Sequence, residues 1–423
     1  MFRATPTFFI LWCILPGMTL TQAQLTSLTI EECYTMAREH YPLARQRDLI
    51  RQSEAYSLEN ASKGNLPQVS IYGQATYQSD VPHIPFDIPG QDVPLIPKDQ
   101  YKLYGEVTQV IYDGGSTGME KQGQEASALA EQQKIEIELY KLKERINQLF
   151  FGVLLINEQL KQTELLQKDI KLGIAKIQAA IDNGTALKSS TAVLQVEMLK
   201  SNQRIVELES TRNAYLEMMG LMINQSLDEN TELIKPAAVS QDEEINRPEM
   251  ANYDYQRTYL SLQNDMLNVR NRPKVNLFLQ GGIGRPGLNI FDDQVAGYYM
   301  GGLRVYWPLT SFYSLKNDQA IIGINTQEID LQEETFLFNT RLQVRQQNNE
   351  ILKLEELLLT DDEIVALRTT IKNTALSQLE NGVMTTNDYL RDVNAEDSAR
   401  QSKTLHEIQL RMAQYNLLTT TGN

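Results

Sequence analysis

Basic residues are scarce in this chain. Its 423 residues include 39 lysines and arginines against 54 aspartates and glutamates, a formal net charge of −15 at pH 7. Nucleic acid is therefore a poor partner, because a phosphate backbone calls for Lys/Arg clusters and no basic block occurs anywhere. Beyond the first twenty-odd residues no apolar run approaches the length of a membrane-spanning helix, which excludes a helical membrane protein. A transmembrane barrel stays open, since its strands are short and only half apolar. There are 2 cysteines and 3 histidines. Cys13 lies in an N-terminal apolar stretch, so Cys33 is left without an intrachain partner and reads as a small core residue. His40, His83 and His406 fall in different elements without an i,i+4 partner or a cysteine mate, and no metal site is expected.

The N-terminus has the pattern of an export signal. Arg3 precedes "FFILWCILPGMTL", and Thr21-Gln22-Ala23 gives a weak small-x-small cleavage context, so residues 1–23 are expected to be a signal peptide. The stretch is broken by Pro16-Gly17 and is too short to span a bilayer. Cys13 lacks the small preceding residues of a lipidation site.

What the chain has in abundance is internal similarity. Pro67 and Pro273 stand 206 positions apart, as do Pro42 and Pro248, and the same offset pairs Val69 with Val275, Ile71 with Leu277 and Gln74 with Gln280. Further on the offset becomes 198, pairing Val107 with Val305 and Asn183-Gly184 with Asn381-Gly382. The change falls where the first copy carries the longer loop "SDVPHIPFDIPGQDVPLIPKDQ". A constant offset on both sides of a loop-length change indicates two tandem repeats.

Each repeat reads as helix, strand, loop, strand, very long helix, turn and returning helix. Strands are expected at about 67–79, 101–112, 274–284 and 297–308, because apolar side chains there fall on alternate positions. Val69, Ile71, Gly73, Ala75 and Tyr77 share one face, opposite Ser70, Tyr72, Gln74 and Thr76. In the second repeat Val275, Leu277, Leu279, Ile283, Tyr299, Leu303, Val305 and Trp307 form the apolar set. Strands of about ten residues suit a tilted membrane crossing.

Long helices are expected at about 116–182 and 313–380. Ile135, Leu139, Leu142, Ile146, Leu149, Val153 and Ile156 repeat alternately at four and three, the period of a coiled-coil seam. The second seam is less clean, with Val344, Ile351, Leu354, Leu358 and Val365. The first long helix spans roughly 100 Å at 1.5 Å per residue. Both end at Asn-Gly, which supplies a left-handed cap, and returning helices are expected at about 185–222 and 383–418. The repeats thus run over 24–222 and 248–423, with a polar connecting segment at 223–247. Four strands cannot close a barrel, and the helical seams cannot be buried by one chain. Such a unit assembles with copies of itself around an axis, and three copies would supply twelve strands.

In the order in which they occur, these residues resemble the TolC-type outer-membrane efflux family over essentially the whole mature chain. The resemblance is carried by "LTIEECYTMAREHYPLARQR", the two Asn-x-Pro-x-Val strand starts, "QVIYDGG" from Gln109, "VYWPLT" from Val305 and the Asn-Gly tips. It implies a mainly α fold with a transmembrane β-barrel portion. In that fold a homotrimer closes a twelve-stranded barrel in outer-membrane lipid, which continues as an α-helical barrel in the periplasm. It further implies a passive exit duct of a tripartite efflux or type I secretion system, fed by an inner-membrane pump through a periplasmic adaptor. The chain departs from the pattern at Thr310-Ser311-Phe312, where the first copy has Tyr112-Asp113-Gly114-Gly115, and it stops soon after the last helix.

The site residues follow from the same resemblance. Asp388, six residues past Gly382, matches an aspartate that lines the family's periplasmic constriction, and Arg391 stands where the next acidic position would be, available for Asp–Arg links. Ser190 and Val193 occupy the equivalent places in the first copy, so only one hairpin would gate. The alternative for Asp388 is an ordinary exposed helix acid. The adaptor is expected at the tips Asn183-Gly184-Thr185 and Asn381-Gly382-Val383.

Enzymatic motifs do not survive inspection, and neither catalytic residues nor cofactors are expected. Gly282, Gly284 and Gly287 fit G-x-G-x-x-G, but Pro286 and Asn289 precede a strand and no helix begins there to hold a pyrophosphate. "YDGG" at Tyr112 reads as a turn into a helix with Ser116 as a possible N-cap. Adjacent acids such as Glu31-Glu32, Glu355-Glu356 and Asp361-Asp362 point about 100° apart on a helix and read as solvated surface. Two other functions are compatible with parts of the sequence. An autonomous porin leaves the long helices without a role, and an exported coiled-coil scaffold leaves the strands without one.

Overall fold

The computed structural model describes residues 27–82, 96–239 and 244–423. The expected signal peptide, Cys13, His83 and most of the Pro-rich loop lie outside the described residues. The fold is mostly helical with a smaller share of sheet. In chain order the elements are β1 (Ser27–Leu28), α1 (Ile30–His40), α2 (Gln46–Lys63), β2 (Gln68–Tyr77), β3 (Asp99–Tyr112), α3 (Ser116–Tyr140) and α4 (Leu142–Asp182). They continue with α5 (Lys188–Ile223), β4 (Glu232–Leu233), α6 (Pro248–Arg270), β5 (Lys274–Arg285), β6 (Ala296–Tyr306), α7 (Phe312–Glu380) and α8 (Thr386–Thr421). Short 3-10 turns sit at Pro42–Arg45 and Leu309–Ser311. No helix among the described residues is long and apolar enough to cross a membrane.

The chain divides into two compact units. One holds residues 27–40, 145–238 and 356–412. There α1 packs on α5, and β1 pairs in parallel with β4. Thr29 and Glu32 start α1 with reciprocal bonds: the Glu32 carboxylate accepts from the Thr29 N–H at 2.8 Å, and the Thr29 hydroxyl accepts from the Glu32 N–H at 3.3 Å. That is a capping box, and it satisfies donors that a helix start otherwise leaves open. Cys33 is fully buried, and burial beside Glu32 and Glu31 pushes its thiol up to about 12.

The second unit comprises the remaining described residues and carries the main sheet. Its strand order is β2-β3-β5-β6, antiparallel throughout, with α2 and α6 packed on α3. The register places Val69 opposite Val107, Val107 opposite Leu279, and Leu277 opposite Leu303, so the apolar alternation of all four strands falls on one face. A bulge between Val110 and Tyr112 interrupts the β3–β5 ladder at its helical end.

Three local features differ from the reading of the sequence. The first long helix has a one-residue irregularity at Lys141, whose backbone stays right-handed with its N–H on the Ile137 carbonyl at 3.3 Å, and Tyr140 beside it has a specific seat. Its hydroxyl donates to the Thr419 carbonyl at 2.9 Å, and the Arg247 guanidinium lies 4.9 Å from its ring centre. Burial pushes the Tyr140 hydroxyl up to about 12. Gly115, not Ser116, takes the N-cap position of α3, and the carboxylate that closes the helix start is that of Asp113, which accepts from the N–H groups of Gly115 at 2.8 Å and Thr117 at 2.7 Å. Asp361, expected at the surface, is buried and bonded to His406 Nδ1 at 2.7 Å.

Candidate functional site

Both helical hairpins turn on an Asn-Gly pair with the same backbone bonding. At the first, the Thr185 N–H reaches the Ala180 carbonyl at 2.8 Å and the Gly184 N–H reaches Ile181 at 2.9 Å. At the second, Val383 reaches Gln378 at 2.9 Å and Gly382 reaches Leu379 at 3.2 Å. These are Schellman motifs, which close the last carbonyls of a helix through a left-handed residue. Gly184 and Gly382 adopt φ of 75° and 70°, a conformation glycine reaches without a Cβ clash. Nothing lies within 4 Å of where a Cβ would stand at either, so the backbone angle alone selects glycine. Directly after the turns, Leu187 and Val383 leave 74% and 77% of their surface bare. Leu187 lay outside the tip residues chosen from the sequence.

The turns differ in how the next helix begins. Ahead of α8, Thr385 donates its hydroxyl to the Asp388 carboxylate at 2.7 Å and accepts from the Asp388 N–H at 3.2 Å. The Arg391 guanidinium reaches the other carboxylate oxygen at 3.3 Å. The structure thus brings Asp388 and Arg391 together, with Asp388 already engaged as a capping residue and Arg391 69% exposed. Ahead of α5, Leu187 takes the cap position with no side-chain bond.

The two hairpins are tied together beneath the tips. Ile170, Ile177, Leu194, Ala375, Leu379, Tyr389 and Val393 form a buried cluster drawn from α4, α5, α7 and α8. Tyr389 lies against Gly173, where a Cβ would come 2.8 Å from its ring, and donates its hydroxyl to the Asp169 carbonyl at 3.2 Å. Burial pushes that hydroxyl up to about 12. Polar links accompany the packing: Lys372 with Asp169 at 2.7 Å, Lys176 with Glu380 at 2.8 Å, and Glu396 with Arg400. Glu396 and Arg400 stand i,i+4 on α8, a spacing visible in the sequence. The other two pairs join different helices, which spacing does not reveal.

The sheet is two-faced. On the apolar face Val69, Ile71, Tyr299, Leu303 and Val305 are 72%, 79%, 81%, 68% and 67% exposed. On the other face Tyr72 stacks on Tyr104 with ring centres 5.2 Å apart. Glu106 is buried there, bonded by Gln280 and by Thr108 and Arg304 at 3.1 and 3.4 Å. Arg304 also lies 4.6 Å from the Phe278 ring centre. Gly282, the first glycine of the apparent nucleotide motif, sits mid-strand; a Cβ there would stand 2.5 Å from that of Tyr104. The remaining glycines of that motif run to the end of β5 and into the connection to β6, with no helix following. Among the described residues no group of three or more His, Cys, Asp or Glu side chains is placed to hold a metal ion.

No protein-family model matches the sequence, and no curated protein matches it. Solved structures match over most of the chain. The outer membrane protein VceC of Vibrio cholerae superposes with a TM-score of 0.67 at 11% identity, covering 93% of this chain and 96% of its own. The MtrE outer membrane channel of Neisseria gonorrhoeae, solved in its open state, gives 0.64 at 11% identity over 93% and 89%. The CmeC outer membrane channel of Campylobacter jejuni gives 0.63 at 11% identity over 93% and 85%. At this identity the likeness is one of fold.

Proposed function

We propose that this chain, which has the fold of TolC-type outer-membrane channel proteins, is itself an outer-membrane exit channel. The observation that carries the reading is the bare apolar face of the main sheet. Burying an apolar side chain is worth roughly 1.5–3 kcal/mol, so a face of this size left in water would be costly. Hydrocarbon is the cover that suits it, with the polar face turned to a wet lumen. Tyr77, Tyr101 and Tyr299 stand toward the end of the sheet away from the helices, and Tyr112, Trp307 and Tyr313 at the helical end, all at least 46% exposed. Aromatic side chains in two bands suit the two levels of lipid headgroups.

Four strands per chain need partners, and three copies would close a twelve-stranded barrel in outer-membrane lipid. The long helices would then continue the duct into the periplasm as a helical barrel. No catalytic chemistry is assigned to the chain. Solute passes down its gradient or is driven by an inner-membrane pump, joined through a periplasmic adaptor. The adaptor meets the tips at Asn183, Gly184, Thr185, Asn381, Gly382 and Val383, with the bare Leu187 and Val383 as its apolar footholds.

Asp388 and Arg391 are the proposed gate. Three-fold symmetry would bring three carboxylates to one ring, which attracts cations, while each Arg391 offsets part of the repulsion. The experiment has two arms. Detergent-purified protein should sediment as a trimer, and a monodisperse monomer with full helical content would overturn the assembly. In planar bilayers divalent cations on the tip side should block current, and Asp388→Ala should abolish that block. Unchanged block in Asp388→Ala would leave Asp388 as a helix cap only.

A further inference from the structure

The charge on the polar face of the sheet runs against the charge of the whole chain. The register places Lys102, Glu106, Lys274 and Arg304 on that one face, and no other charged residue of the four strands shares it. Three cations therefore stand against one carboxylate, in a chain with fifteen more acidic than basic residues. The carboxylate is also the least available of the four. Glu106 is buried and taken up by Gln280, Thr108 and Arg304. Lys102 is exposed, and the Arg304 side chain keeps 49% of its surface while pairing with Glu106. Lys274 lines a cavity of about 420 Å³ at the helical end of the sheet, together with Arg270, Tyr306 and Ser314. Asp318 also lines it, and its carboxylate accepts from the Ser314 hydroxyl at 2.9 Å.

We propose that this face makes the strand portion of the channel favour anions, so that the solutes it passes best are anionic. The inference rests on the channel reading given above. A solute crossing a narrow wet lumen stays within about 8–10 Å of the wall, the screening length at ordinary salt, and feels the fixed charges there rather than the distant surface. Low-dielectric walls lined by one sign of charge focus that field to several kT. Closure by three copies would triple the excess of two positive charges per chain. Aromatic rings beside the cations, Phe278 under Arg304 and the Tyr72–Tyr104 stack, add flat apolar surface and suit anions that carry rings.

Reversal potentials of the full-length assembly, measured in planar bilayers under a potassium chloride gradient, test the proposal. Compared with variants that share its carboxylate ring at the tips, the wild type should pass more chloride for each potassium by a few-fold, the scale set by a potential of a few kT. The double variant Lys102→Glu, Lys274→Glu moves each chain's face from an excess of two cations to an excess of two carboxylates and should shift the reversal potential toward potassium. The milder pair Lys102→Gln, Lys274→Gln should shift selectivity the same way by about half and covers the case in which charge reversal impairs assembly. The tips are untouched in both variants, so a change in selectivity arises in the strand portion. A wild type that conducts with the same selectivity as both variants overturns the inference and leaves the channel reading standing. A wild type that inserts and carries no current at all overturns both.

Discussion

Beneath the hairpin tips, Ile170, Leu194 and Val393 have no surface left for solvent; on the sheet, Ile71, Tyr299 and Leu303 keep most of theirs. Both sets follow a regular apolar period, one helical and one of two. In the tip region the cover for each apolar stripe comes from other helices of the same chain. On the sheet nothing among the described residues covers the stripe, and the proposed cover is lipid. Periodicity locates a face; whether the face is a core or a lipid contact depends on what the rest of the chain brings to it.

The largest effect that separates the two regions is truncation. Leu194→Ala should destabilise the tip region by about 2–5 kcal/mol, the range for emptying a close-packed site. Ile71→Ala, with 79% of the side chain already bare, should change the stability of the detergent-solubilised chain by less than about 1 kcal/mol. Urea unfolding followed by helical circular dichroism measures both, and equal losses would erase the distinction. A smaller effect separates two glycines of the same unit. Gly173→Ala drives a methyl into the Tyr389 ring and should cost about 1–3 kcal/mol as overpacking. Gly184→Ala meets no atom and should cost about 1 kcal/mol through its backbone angle alone. If Gly184→Ala is the more damaging, the tip is held by contacts beyond the turn.

A pH dependence confined to the tip unit is also expected. Burial, with Glu396 beside it, pushes the Asp397 carboxyl up to about 6, against opposing help from Gln401, Arg204 and Arg400. The folded chain therefore holds this proton more tightly than the unfolded chain does. Its contribution to stability is present at low pH and is lost as pH rises from the ordinary value of 3.8 through about 6. Asp397→Asn should flatten that part of the pH profile in urea unfolding, and an unchanged slope would place the titration elsewhere.

Local rules reached part of this structure directly. The alternation of Val69 and Ile71 with Ser70 and Tyr72 was enough to assign the faces of β2, and Asn-Gly was enough to place both turns, because each depends on neighbours in sequence. The seat of Tyr140 beside Lys141 was not legible, since its partners Thr419 and Arg247 lie far along the chain. The Asp113 carboxylate closes the start of α3 because two glycines with positive φ bend the chain back toward it. Asp361 looked like surface until His406 on a neighbouring helix covered it. At the candidate site, a Thr-x-x-Asp box was readable at Thr385 and Asp388, whereas the seat of Tyr389 on Gly173 joins α8 to α4 and leaves no local trace.

In the proposed channel the bare apolar face lies in lipid and the opposite face in water. Ile71→Cys and Gln74→Cys, each made in a chain carrying Cys33→Ser, put one thiol on either face of the same strand. Reaction with a charged, membrane-impermeant maleimide in intact outer-membrane vesicles reads the difference. Gln74→Cys should label rapidly, and Ile71→Cys should be protected until detergent is added. Equal labelling of the two in vesicles, or labelling of Ile71→Cys alone, would contradict it.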